Sequence, residues 1–335
     1  MSMKCIWKKR KAAGGSYSNE ILVTGGAGFL GSHLCDLLLK QGHHVLCMDN
    51  LSTGSINNIK QHLDNERFEF INTTVENECY KSVDRIYNLA CPASPIAYQE
   101  DPIYTLQTCL HGMDNMLKLA HNSDARIFQA STSEVYGDPL VHPQAEHYWG
   151  NVNPYGPRSC YDEGKRAAES LCYAYREKLK VQVRIGRIFN TYGPRMASDD
   201  GRVVSNFIMQ ALTNEPITIY GDGSQTRSLC YVDELVEAII YLMEDDWVDY
   251  PINLGNPNEV SVLELARLVI KLTDSQSEIV HLPMPKDDPR QRQPDIRTIR
   301  NISGWEPMVK LEDGLRLTIE DFKRRYFEPM GAENE

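Results

Sequence analysis

Tyr161 and Lys165 stand four residues apart in Cys160-Tyr161-Asp162-Glu163-Gly164-Lys165-Arg166. On a helix that spacing puts both side chains on one face. An ammonium beside a phenol lowers the phenol's pKa and favours the phenolate. A phenolate can take a proton from an alcohol while a cofactor takes the hydride. The pattern alone occurs by chance in many surface helices, so its context must carry it. About thirty residues upstream, Ala130-Ser131-Thr132-Ser133-Glu134-Val135-Tyr136-Gly137-Asp138-Pro139 follows an apolar strand. Thr132 and Ser133 can share a proton network with the phenol, and Glu134 adds a second titratable group.

A cofactor loop stands near the N-terminus. Gly25, Gly28 and Gly31 have G-x-x-G-x-x-G spacing between the apolar run Ile21–Val23 and a helical pattern over 29–41. Such glycines allow a tight turn, let a pyrophosphate approach the backbone, and let the helix pack against the sheet. The amides at the helix start then bind the anion. A second strand ends in Met48-Asp49-Asn50. A carboxylate there accepts hydrogen bonds from ribose hydroxyls and repels the extra phosphate of NADP, so NAD is the expected cofactor.

Elements of a particular kind must position these groups. Apolar runs at 45–48, 68–71, 85–89, 127–129 and 181–188 read as strands. Helical spacing recurs at 105–122 and 161–178. Strands alternating with helices predict an α/β, doubly wound parallel (Rossmann) sheet. After about residue 190 Pro and Gly become frequent, with helical patterns at 203–212, 233–243, 261–272 and 311–322. This reads as a smaller C-terminal substrate-binding lobe. The expected division is a flexible basic leader over 1–19, a NAD-binding part over 20–190, a substrate-binding part mainly over 191–327 with interleaved boundaries, and a tail over 328–335.

Composition narrows the partners. The net charge of −11 argues against a nucleic-acid surface. An anionic ligand would need locally placed Arg, Lys and backbone amides. No run approaches the roughly 18 apolar residues of a membrane span. Nine cysteines, an odd number without C-x-x-C spacing, predict reduced thiols in a cytoplasmic protein and no metal site.

The combination of the glycine loop, Thr132-Ser133-Glu134 and Tyr161-x-x-x-Lys165 resembles the extended short-chain dehydrogenases that act on nucleotide sugars. Longer segments are similar to the UDP-glucuronate decarboxylases within them. These are residues 89–95 (LACPASP), 158–166 (RSCYDEGKR), 187–196 (RIFNTYGPRM), 200–207 (DGRVVSNF) and 287–296 (DDPRQRQPDI). The resemblance runs from about residue 20 to about 327. It implies NAD-dependent oxidation at C4 of UDP-glucuronate, loss of carbon dioxide from the 4-keto sugar, and re-reduction to UDP-xylose. Tyr161 would be the acid/base, Lys165 its partner, and Thr132 a hydrogen-bond donor to the reacting oxygen. Ser133 and Glu134 would handle protons or position the sugar, and Arg292 would engage the carboxylate region.

Related 4,6-dehydratases carry Asp where this chain has Ser133, and epimerases usually lack the Glu, so the pair Ser133–Glu134 points to decarboxylation. The resemblance also carries cofactor contacts onto Gly25, Gly28, Phe29, Leu30, Gly31, Asp49, Asn50, Thr53, Gly54, Thr74, Val75, Leu89, Cys91, Thr108, Ala130, Tyr161 and Lys165. Substrate contacts fall on Tyr80, Gln107, Asn115, Asn190, Arg202, Val203, Tyr220, Arg227, Tyr231 and Arg292. Two Arg forks, Arg202 and Arg227, suit a diphosphate. Family members are commonly homodimers, which here would pair the helices over 105–122 and 161–178. Three positions depart from the family's usual residues: Thr74 for Asp, Gln107 for Lys and Cys109 for Asn.

Overall fold

A computed structural model describes residues 20–283 and 291–328. The basic leader, Cys5 and nearly all of the tail lie outside the described residues. Six strands come from the first half: β1 (Glu20–Thr24), β2 (His44–Asp49), β3 (Phe68–Asn72), β4 (Arg85–Asn88), β5 (Arg126–Thr132) and β6 (Val183–Ile188). Short strands follow as β7 (Thr191–Tyr192), β8 (Ile217–Tyr220), β9 (Thr226–Ser228), β10 (Cys230–Tyr231), β11 (Ile252–Leu254), β12 (Glu259–Ser261) and β13 (Ile279–Leu282). The helices are α1 (Phe29–Lys40), α2 (Pro95–Glu100), α3 (Pro102–Gln107), α4 (Met113–Ser123), α5 (Ser159–Leu179), α6 (Val203–Leu212), α7 (Val232–Glu244), α8 (Val262–Thr273), α9 (Arg297–Ser303) and α10 (Leu311–Tyr326).

The central sheet has the order β11-β6-β5-β4-β1-β2-β3, and every pairing in it is parallel. Helices cover both faces, so the middles of β1, β2, β4 and β5 are buried. Alternate side chains go to opposite faces. Ile21, Val23, Tyr87 and Phe128 join Leu34 and Leu38 of α1 and Ile239 of α7 in one core. Leu22, Ile86 and Ile127 join Met116 and Leu117 of α4 and Ala168 and Cys172 of α5 in another. The order reverses at β1, which has β2 on one side and β4 on the other, so a crevice opens at the carboxyl ends of these strands.

Two elements differ from the sequence expectation. The helix expected over 105–122 begins at Pro102, where the Asp101 side chain accepts the Tyr104 amide at 2.9 Å. A single π turn over Thr108–Gly112 then interrupts it. Such turns displace one residue out of helical register, frequently at functional sites. The second difference is return of the chain to the first lobe: α7 and β11, both beyond residue 190, complete the sheet and its covering layer.

Candidate active site

The glycine loop folds as its spacing requires. Gly25 has φ +67°, and a Cβ there would meet the Ala90 backbone at 3.0 Å. A Cβ on Gly31 would lie 2.1 Å from the Gly25 carbonyl oxygen, so α1 can start this close to β1 only with glycine there. No side chain caps α1, which leaves its first-turn amides open. The Asp49 carboxylate accepts the Ala27 and Leu51 amides at 2.9 and 2.8 Å. Burial nonetheless raises its pKa.

The loop borders a cleft of about 1560 Å³. That exceeds the usual size of a single small-ligand site. The cleft brings together all of the expected cofactor residues: Gly25, Gly28, Phe29, Leu30, Gly31, Asp49, Asn50, Thr53, Gly54, Thr74, Val75, Leu89, Cys91, Thr108, Ala130, Tyr161 and Lys165. Open helix amides, a close backbone approach at the glycines and an acidic side chain at the end of β2 fit a dinucleotide that carries free ribose hydroxyls.

The expected catalytic residues also line the cleft. Helix α5 is stitched to the end of β5. Lys165 Nζ donates to the Ala130 carbonyl at 2.9 Å, and Ser131 donates to Glu169 at 2.6 Å. Arg166 donates to the Val135 carbonyl at 3.0 Å. Lys165 lies 5.7 Å from the centre of the Tyr161 ring, whose other neighbour is Tyr98, stacked at 5.0 Å. Tyr161 and Lys165 are only 6% and 5% exposed. Burial outweighs the expected lowering of the phenol by the ammonium. Burial pushes Tyr161 up to about 12, with Lys165 acting against it and Cys91 and Glu134 reinforcing it.

Glu134 is also unlike the sequence expectation. Burial alone would raise its carboxyl, but two guanidiniums outweigh burial and hold it down to about 2. Arg158 Nη2 donates to Oε2 at 2.6 Å, and Arg292 donates to both oxygens. Glu134 is thus a fixed negative charge rather than a group that titrates near neutral pH. The titratable carboxyl is Asp162, pushed up to about 7 by burial and by the charge of Glu134, with Arg158 acting the other way. The Nε of Arg292 is buried and has no partner.

The expected substrate residues divide. Asn190, Arg202, Val203, Tyr220, Arg227 and Arg292 line the cleft, as do Thr132, Ser133 and Glu134. Four others do not. Tyr80 is 86% exposed and bonded to Glu78, and Gln107 ends α3 with its side chain in solvent. Tyr231 is packed edge-on against Tyr192 in the core. Asn115 donates to the Val75 and Glu76 carbonyls at 3.1 and 2.7 Å, so it props the strand end beside the cofactor loop.

Sequence reading missed Arg158, Asp162, Tyr98 and Gln144. Arg158 and Asp162 are four apart, a visible helical spacing, but nothing in it announced Glu134 as the nearer partner of Arg158. Gln144 is buried, accepts the Gln293 amide at 2.9 Å, and donates its own backbone amide to the Gln293 carbonyl at 2.9 Å. It thereby anchors the residue that follows Arg292.

The pattern of the NAD dependent epimerase/dehydratase family matches residues 21–255. The chain is 55% identical over 305 residues to a protein named UDP-glucuronic acid decarboxylase 1 from Danio rerio, covering 91% of this chain and 73% of that one. UDP-glucuronic acid decarboxylase 6 from Arabidopsis thaliana is 54% identical, with 91% and 89% covered. Among solved structures, the UDP-glucuronic acid 4-epimerase from Bacillus cereus, in complex with UDP-glucuronic acid and NAD, superposes with a TM-score of 0.84 at 28% identity, over 92% of this chain and 100% of that one. The glycine loop, the Tyr161–Lys165 pair and these likenesses agree, and the chain belongs to the NAD dependent epimerase/dehydratase family.

Proposed function

We propose that this protein is an NAD-dependent decarboxylase that converts UDP-glucuronate to UDP-xylose. The observation that carries the reading is the ionised Glu134, held between Arg158 and Arg292 in the same cleft as Tyr161 and Lys165. The relatives that match over most of the chain are named UDP-glucuronic acid decarboxylases.

NAD, when bound, supplies a ring that takes a hydride and later gives it back. The chain's residues do the rest. Tyr161 takes the C4 hydroxyl proton, and Lys165 stabilises the phenolate against the cost of burial. Thr132 donates to the C4 oxygen, so electrons released with carbon dioxide settle there as an enolate. Arg292 engages the carboxylate region, and Glu134 fixes the orientation of that guanidinium. Ser133 holds the sugar and is too weak an acid to expel a C6 hydroxyl, which separates this site from a dehydratase. Arg202 and Arg227 take the diphosphate.

We infer that the dimer interface lies on the segment over 105–122 and on α5, where Leu106 and Tyr173 are 37% and 61% exposed. A cytoplasmic setting fits the eight described cysteines, all of them free. No helix among the described residues is long and apolar enough to cross a membrane.

The test is incubation with UDP-glucuronate and NAD while carbon dioxide and the sugar product are followed, the product by NMR. A five-carbon sugar is expected. A product with six carbons would replace this reading with an epimerase, and NAD binding without turnover would replace it with a binding protein.

A further inference from the structure

Cys91 and Cys109 come from different elements and meet beside the catalytic helix. Cys91 lies in the loop after β4 and lines the cleft. Cys109 lies in the π turn between α3 and α4 and is 4% exposed. Their sulfurs are 3.3 Å apart. A disulfide needs about 2.0 Å, so the pair has roughly 1.3 Å to close. Cys109 stands where the resembling family usually has Asn, and no step proposed above uses either thiol.

The place of this contact gives it a consequence. A Cβ on Gly164 would lie 3.0 and 3.1 Å from Cβ and Sγ of Cys109, so the thiol rests on α5 one residue before Lys165. Cys91 follows Ala90, whose backbone abuts Gly25 in the cofactor loop. The two sulfurs therefore join the wall of the cofactor site to the helix that carries the acid/base pair. We propose that Cys91 and Cys109 are an oxidant-sensitive thiol pair, closed into a disulfide by a peroxide, and that the closed form turns over more slowly.

The two cysteines are suited to different halves of the reaction. Cys91 is reachable from the cleft. The thiol contact from Cys109 holds it down to about 7, against burial and with help from Lys165. As a thiolate it attacks a peroxide oxygen. An S–O bond forms, the O–O bond breaks, and the departing oxygen leaves as water, which gives a sulfenic acid. Cys109, pushed well above the usual thiol range by that contact and by burial, is protected from solvent oxidant. Its sulfur attacks that of Cys91 and gives up its proton. The S–S bond forms, the S–O bond breaks, and a second water leaves. Two thiols lose two electrons and two protons, and one peroxide is reduced to two waters.

The experiment treats the full-length protein with a few equivalents of hydrogen peroxide, blocks the remaining thiols, and maps peptides without reduction. In parallel, decarboxylation of UDP-glucuronate is measured before and after dithiothreitol. We expect a peptide linked through Cys91 and Cys109. Turnover should fall at least about tenfold, because displacements near 1 Å at a catalytic site reach that scale, and should recover on reduction. Cys109→Asn and the nearly isosteric Cys109→Ser should each give an enzyme that forms no such link and keeps its activity in peroxide.

Absence of the linked peptide, or a link from Cys91 to Cys160 instead, overturns the pairing. A link without loss of turnover overturns its effect, as does inactivation that persists in both Cys109 variants. The activity arm rests on the decarboxylase reading. The peptide arm does not, so failure of one is distinguishable from failure of the other.

Discussion

Replacing Glu134 by Gln keeps the shape of the side chain and removes the charge that two buried guanidiniums share. The carboxyl is held at about 2 against an ordinary 4.5. That difference corresponds to about 3 kcal/mol of folding free energy. The side chain is 13% exposed, so solvent screening takes little from it. A second route gives the same scale, since breaking a buried ion pair by removing one partner costs roughly 3–5 kcal/mol. Because the folded carboxyl lies below its unfolded value, the contribution is complete well above pH 4.5 and is lost as pH falls toward 2. The gap between wild type and Glu134→Gln should therefore be about 3 kcal/mol at pH 7 and smaller, by roughly 1 kcal/mol, at pH 4. Urea unfolding of both proteins across pH 4–8 measures it. The melting temperature at pH 7 should fall by about 5 °C for a chain of this size. A variant as stable as wild type, or a gap that stays constant or widens on acidification, would refute the reasoning.

Tyr161→Phe should retain NAD binding by calorimetry and lose turnover by a factor on the order of a thousand; normal turnover would remove Tyr161 as the acid/base. Asp162 has a carboxyl raised to about 7, so its favourable contribution is present below pH 3.8 and is lost as pH rises through 7. Asp162→Asn should therefore gain on wild type in thermal melts between pH 4 and 7.5, and an unchanged difference would contradict the assignment. Asn115→Ala frees the Val75 and Glu76 carbonyls from two hydrogen bonds, which should weaken NAD binding by up to about tenfold with kcat little changed. Gly31→Ala places a methyl 2.1 Å from the Gly25 oxygen and should abolish NAD binding, read by equilibrium dialysis.

The parts of this site that the sequence disclosed are those whose causes are local. Gly25 and Gly31 serve a turn and a close approach within seven residues of chain, and Tyr161 and Lys165 share one helical turn. The sheet was legible because its strands are short, apolar-rich runs alternating with helices, apart from β11, whose three residues are too short to show a pattern. Asn115 and Tyr231 were drawn to the substrate by resemblance, whereas their side chains serve a backbone prop and the core.

Charge state was the least legible property, for a physical reason. Whether a carboxyl titrates depends on which guanidiniums reach it, and Arg292 reaches Glu134 across 158 residues of chain. That meeting depends on the segment after Arg292 being pinned. Gln144 binds Gln293, and Asn253 donates to the Gln144 and Asp295 carbonyls at 2.9 and 3.2 Å. Asn253 lies in β11, the strand the sequence hid. The same strand that completes the sheet thus fixes the residues beside Arg292, and with them the ionisation of Glu134. Asp162, beside the acid/base, is raised toward neutral pH by its burial and, on top of that, by the Glu134 charge held next to it.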